Sequence, residues 1–295
     1  MEDAAGTPAA VARARSSSRK TGRWTERSLA ALAALFALFL GLPIVTLVAR
    51  AILDGSLRVA FASPVVLDAL WLSLVTTAAS LVITVSLGLP LAFVLARRQF
   101  RGKGWLEAIV DLPIVLPPSV AGLALLLVFG RRGLLSAPFE VLGIAIPFTT
   151  IAVILAQTFV SAPFFIRSAR TGIAGVDRDL EDAARVDGAS ERQLFRAITV
   201  PLASAALAAG LVMTWARSLG EFGATIMFAG SLQKVTQTLP LAIYAEFEVN
   251  FDVTLAISAL LVLISAALLI SLKLTSLWQP SEQTSRSRFA LLSSS

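Results

Sequence analysis

Six stretches of the chain carry no Asp, Glu, Lys or Arg over a length able to cross a bilayer: Ser28–Ala49, Ala69–Ala96, Leu112–Gly130, Val141–Ile166, Ala197–Ala216 and Val253–Leu272. Covering about 30 Å of hydrocarbon at 1.5 Å per residue takes roughly 20 apolar residues in a helix. The pattern therefore predicts six transmembrane helices, over 28–50, 69–96, 112–130, 147–166, 199–219 and 253–272. Two more uncharged stretches, Phe222–Gln233 and Val235–Ala245, are too short to span. They hold Gly230, Pro240 and several hydroxyls, and are expected to be re-entrant or interfacial. The first window exceeds a signal-peptide core and no small-x-small cleavage site follows Arg50, so it reads as a retained helix.

The charges outside these windows supply an orientation. Of the 25 Lys and Arg residues, 19 lie before the first span, between spans two and three, between spans four and five, or after span six. Short cytoplasmic loops are rich in Lys and Arg, so both termini are expected in the cytoplasm. The +6 net charge is thereby read as topology and contact with anionic headgroups, with no nucleic acid as a partner. Composition agrees: 56% of residues are hydrophobic, 15% charged, and the mean hydropathy is +0.80. A soluble domain is about 45–50% apolar and about 25% charged. The absence of His and Cys removes the commonest general base, thiol chemistry, disulfides and the usual zinc, haem and iron–sulfur ligands. No catalytic residue, metal site or cofactor bound by this chain is expected. Residues 1–27, basic and rich in Ala, Gly and Ser, and the Ser-rich residues 276–295 are expected to be disordered cytoplasmic tails.

One predicted cytoplasmic loop is patterned. Between Gly175 and Pro201, Leu180, Ala183, Ala184 and Val186 fall at helical spacing. Gly188 then breaks that helix, and Ser190 can cap a second one running through Leu194, Phe195 and Ile198. The result is a helix–turn–helix against the membrane. Its acids Asp177, Asp179, Glu181, Asp182 and Asp187 would repel a phosphate backbone, so a docking surface for a cytoplasmic partner is the better reading. Small Ala183 and Ala184 let a helix seat closely, an acid can fix register through an Arg, and Gly188 supplies the turn.

Asp182-Ala-Ala, three residues, Gly188, nine residues and Ile198-Thr-Val-Pro201 resemble, without a gap, the EAA loop of ABC importer permeases (Glu-Ala-Ala, three, Gly, nine, Ile-x-Leu-Pro). Asp182 stands where Glu is usual and Val200 where Leu is usual, and neighbouring Glu181 leaves open which acid serves. The resemblance implies an all-α integral membrane protein with the type I ABC importer membrane-domain fold over residues 66–275. It further implies that loop 175–201 docks into a separate ATPase subunit through Asp182, Ala183, Ala184, Gly188, Ile198 and Pro201. The chain itself lacks a Walker A: its one Gly-Lys pair, Gly102-Lys103, is followed by Gly104 rather than Ser or Thr. ATP and Mg would thus be used by the partner, present in two copies.

Two segments narrow the resemblance. Asp111-Leu-Pro-Ile-Val-Leu-Pro-Pro-Ser-Val-Ala-Gly122 with Gly130-Arg-Arg-Gly133, and Ala216-Arg-Ser-Leu-Gly-Glu-Phe-Gly-Ala-Thr225, resemble the molybdate permease branch, close to the tungstate and sulfate/thiosulfate branches. This likeness implies a homodimeric permease of a bacterial plasma (inner) membrane, fed by an extracytoplasmic oxyanion-binding protein. Pro113, Pro117 and Pro118 should break or kink span three, leaving Ser119 and Gly122 at a helix start suited to transient anion contact. Arg217, Ser218, Glu221 and Thr225 are candidates for an outer gate, Arg217 attracting a dianion and Glu221 serving as gate or as partner of Arg217. Arg131 and Arg132 either meet an acidic surface of the binding protein or are plain loop charges. An ion-coupled secondary transporter or channel is the alternative of a different class. It needs intramembrane acids or bases, for which the stretch near Glu221 is the only candidate.

Overall fold

The computed structural model describes the backbone of residues 8–277 and the side chains of residues 28–58 and 62–271. Residues 1–7 and 278–295, and the parts of the two expected tails that fall there, lie outside the described residues. The chain divides into two compact units, Met1–Asp54 and Gly55–Ser295.

In the first unit a single helix, α1, runs from Pro8 to Leu53. Its apolar part, Ser28–Leu53, is long enough to span. Residues 8–27, expected to be disordered, instead continue this helix. Composition argued only that they bury no core. Ala and Arg are among the best helix formers, Pro8 sits at a first helical position, and extending an existing helix needs no new nucleus.

The second unit is helical throughout its described residues: α2 (Ser56–Ala62), α3 (Pro64–Arg97), α4 (Lys103–Val115), α5 (Pro118–Phe129), α6 (Ser136–Val141), α7 (Thr150–Ala174), α8 (Arg178–Val186), α9 (Glu191–Leu194), a π-helical turn (Phe195–Thr199), α10 (Val200–Leu202), α11 (Ser204–Leu219), α12 (Gly223–Ala229), α13 (Leu239–Glu246) and α14 (Phe251–Leu277). By length and composition α1, α3, α7 and α14 can each cross a bilayer, and two bent pairs raise the number to six. Span three is one of these pairs: α4 and α5 meet at 119° across Leu116-Pro117. Two consecutive prolines remove amide donors and crowd the preceding turn, so span three breaks near the start of its 112–130 window as Pro117 and Pro118 predict, while Pro113 is accommodated inside α4. Span five bends by 73° at Ala203. The two short uncharged stretches hold α12 and α13, neither long enough to span.

Span four departs from its charge-free window. Its helix starts at Thr150, not at 141 or 147, capped by the Thr149 hydroxyl accepting from Ala152 N–H at 3.4 Å. It then runs past Arg167 and Arg170 to Ala174. Both charges are absorbed by α4: Arg170 pairs with Glu107 at 2.7 Å and Arg167 with Asp111 at 3.7 Å. A window ended by a charge underestimates a helix whose charge has a partner.

The centre of this unit is α7, packed between α3 and α11. Thr158 donates to Ser80 Oγ (3.1 Å), and Gly88 faces Ile166, so α3 and α7 run parallel. Ser168 donates to the Ala206 carbonyl (2.7 Å) and Thr214 to that of Ser161 (3.4 Å), so α11 runs antiparallel to α7. In lipid, where apolar side chains gain little by leaving their surroundings, close packing of small residues and interhelical hydrogen bonds hold helices together. Both are present here. Ala92, Ala169 and Ala203 lie in one buried cluster with Leu95, Phe165, Ile173 and Val176, and Ala152, Ala156, Ala224 and Ala229 lie in another with Leu125 and Phe228.

Candidate functional site

The loop between spans four and five folds as a braced helical hairpin. Asp177 caps α8, its carboxylate accepting from Asp179 N–H at 3.0 Å. Asp179 and Glu181 in the first turn and Arg185 in the last complement the helix dipole. Gly188 ends the helix at φ +88°, a left-handed conformation that costs an L side chain about 1–2 kcal/mol. Ser190 then starts α9 with a full capping box: its hydroxyl accepts from Gln193 N–H, and the Gln193 side chain accepts from Ser190 N–H. Arg185 bridges the turn, reaching Asp182 at 2.6 Å and Glu191 at 2.8 Å. Glu191 first, and Asp182 second, hold its guanidinium above its ordinary range.

Of the residues expected to dock, Asp182, Ala183, Gly188 and Pro201 are exposed, while Ala184 and Ile198 are half-buried. Leu180 (51% exposed) and Val186 (87% exposed) sit on α8 beside them without a covering partner among the described residues. Glu181 differs from its neighbour Asp182. It is 3% exposed and turned inward, 2.6 Å from Arg97 at the end of α3 and accepting from Thr199 at 2.9 Å. Sequence reasoning missed Arg97 and Thr199 altogether.

The hairpin leads into span five through the π-helical turn, where Val200 N–H reaches back to the Phe195 carbonyl. A proline at 201 offers no amide donor, which suits a register change at this point. Helix α11 then runs to the opposite end of the unit, where the second group of candidates sits.

There α12 packs closely on α5. Gly122 faces the Ala224 backbone so closely that a Cβ would lie 2.6 Å from its carbonyl oxygen, and a Cβ on Gly223 would lie 2.5 Å from Pro118 Cβ. Thus the two segments singled out separately, around Ser119–Gly122 and Ser218–Thr225, meet. Ser119 is exposed at the start of α5. Ser218, Glu221 and Thr225, by contrast, are buried within the chain, at 1%, 1% and 0% exposure. Glu221 caps α12, accepting from Ala224 N–H at 2.7 Å, and its other oxygen lies 2.7 Å from Arg217 Nη1. The Arg217 side chain stays 29% exposed. Arg131 and Arg132 are exposed on the turn after α5, at the mouth of a cleft of about 620 Å3 walled by Leu126, Leu127, Pro147 and Phe148. Among the described residues no group of three or more acids could hold a metal ion.

A family described as "Binding-protein-dependent transport system inner membrane component" matches residues 87–277. The molybdenum transport system permease protein ModB of Mycobacterium tuberculosis (strain ATCC 25618 / H37Rv) is 47% identical over 198 residues, 67% of this chain and 75% of that protein. The molybdate/tungstate transport system permease protein WtpB of Pyrococcus abyssi (strain GE5 / Orsay) is 39% identical over 207 residues, 70% of this chain and 78% of its own. Among solved structures, a chain of a bacterial ABC transporter that imports the acidic polysaccharide alginate superposes with a TM-score of 0.71 at 16% identity, covering 90% of this chain and 100% of that one. The helical fold is thus shared with a type I ABC importer membrane domain.

Proposed function

Because the chain belongs to the binding-protein-dependent transport system inner membrane components, we propose that it is the permease subunit of an ATP-driven importer of molybdate or a similar tetrahedral oxyanion. Two copies form the pathway at their twofold axis in a bacterial inner membrane, with both termini in the cytoplasm. Two copies of a cytoplasmic ATPase, using ATP and Mg, dock on the paired hairpins. An extracytoplasmic oxyanion-binding protein delivers the substrate, with Arg131 and Arg132 offering it a basic contact.

The observation that carries this reading is the hairpin of α8 and α9: stiffened by Arg185 and the Ser190 capping box, it leaves Leu180, Ala183 and Val186 exposed. Exposed apolar residues on a rigid protrusion fit docking into a groove. ATP binding closes the motor, draws the hairpins together and opens the cavity outward; hydrolysis resets it. The pathway need attract the anion only weakly, since tight binding slows release. Arg217 supplies that attraction through its exposed edge, while Glu221 holds Arg217 and caps α12. The substrate preference rests on the relatives, and tungstate or sulfate would use the same architecture.

The test is reconstitution. Vesicles carrying this chain alone should be inert, and oxyanion should accumulate only when the ATPase, the binding protein and ATP are all supplied. Accumulation by the chain alone would establish the ion-coupled transporter or channel instead.

A further inference from the structure

Two adjacent acids begin the loop motif, and the structure gives them different surroundings. Asp182 lies on the outer face of α8, its side chain 68% exposed and, among the described residues, paired with Arg185. Glu181 points into the protein. Its Oε1 takes the Arg97 guanidinium at 2.6 Å and the Thr199 hydroxyl at 2.9 Å, and the same Arg97 nitrogen donates to the Val176 carbonyl at 3.2 Å. The side chains of Arg97 and Glu181 are 9% and 4% exposed. A second contact joins the same elements, with Phe93 of α3 packing edge-on against Phe195 of the π turn, centroids 5.3 Å apart.

Three elements therefore meet at one carboxylate: the end of span two through Arg97, the docking helix through Glu181, and the root of span five through Thr199. Covalently α8 joins span four through residues 175–177, reaches span five only by way of a π-helical turn, a place where backbone yields, and has no short connection to span two. A charge-assisted, doubly bonded and shielded contact is far stiffer than such a joint. Resting on the importer reading, we propose that Glu181, held by Arg97 and Thr199, is the positioning residue that passes displacement of the docking helix to spans two and five, while Asp182 serves only the outer, motor-facing surface.

The experiment uses the assembled transporter in vesicles and measures anion imported per ATP hydrolysed. Removing one partner would strand a buried charge, so the primary variant replaces both, Arg97→Met with Glu181→Met, which apolar pairs often tolerate. The expected result is an assembled complex that hydrolyses ATP at the wild-type rate but imports at least about fivefold less anion per ATP, as for loss of a site-to-site coupling. Arg97→Lys, which keeps the charge but not the planar fork, should restore part of the ratio, and Thr199→Val should give an intermediate fall. A wild-type ratio in the double variant overturns the proposal. Should that variant not assemble, Thr199→Val decides, a lowered ratio supporting the clamp and a wild-type ratio refuting it. A wild-type complex that imports nothing counts against the importer reading itself, which keeps the two failures apart.

Discussion

Adding one methyl group at Gly122 measures how closely α5 and α12 must approach. In Gly122→Ala the new Cβ would lie 2.6 Å from the Ala224 carbonyl oxygen, 2.7 Å from Met227 Cβ and 3.0 Å from Ala224 Cα. Two of these atoms are backbone and the third is the stiff base of a side chain, so none can rotate away. Reaching ordinary contact at 3.4 Å requires the two helices to part by about 0.8 Å. Overpacking of this kind costs about 1–3 kcal/mol. Against it stands the gain of about 0.5–1 kcal/mol from replacing glycine by alanine within a helix. Gly104→Ala isolates that gain, because Gly104 lies in α4 with nothing within 4 Å of its virtual Cβ. Equilibrium unfolding in mixed detergent micelles, followed by tryptophan fluorescence, should place Gly122→Ala about 1–3 kcal/mol below Gly104→Ala. Equal stabilities would refute the close α5–α12 packing.

Other consequences are equally direct. Gly188→Val forces a β-branched residue to φ +88°, so membrane levels of the permease should hold while ATP-driven uptake is lost; uptake at the wild-type level would mean the turn does not set the hairpin. Glu221→Ala removes both the α12 cap and the partner of Arg217, whereas Glu221→Gln can still accept from Ala224 N–H, so alanine should lower the thermal midpoint further than glutamine. Equal midpoints would show that the cap contributes nothing. Replacing Arg131 and Arg132 by Gln should weaken association with the binding protein and flatten its salt dependence, as read by titration at two ionic strengths; unchanged binding makes them loop charges.

Local chemistry made the hairpin legible in advance. A glycine ends α8 and a serine starts α9, and these are decisions taken within four residues of chain. The break in span three followed in the same way from Pro117 and Pro118. What escaped the sequence depends on partners distant along the chain. Arg97 and Glu181 are 84 residues apart, and no periodicity marks either as half of a buried pair. Span four outran its window because Glu107 and Asp111 neutralise Arg167 and Arg170. The gate candidates illustrate a further limit: residue types suggested that Ser218, Glu221 and Thr225 stand near a pathway, yet which face of α11 and α12 is buried depends on what packs there. The amino-terminal helix reaching Pro8 shows the converse, since lack of a core does not prevent a helix from continuing.

ATP-driven oxyanion import is tested most directly by uptake of radiolabelled molybdate, with sulfate in parallel, in cells lacking their own systems and expressing this chain with its ATPase and binding protein. Molybdate uptake that vanadate abolishes is the predicted result. Uptake of neither anion, or uptake indifferent to vanadate, would contradict it.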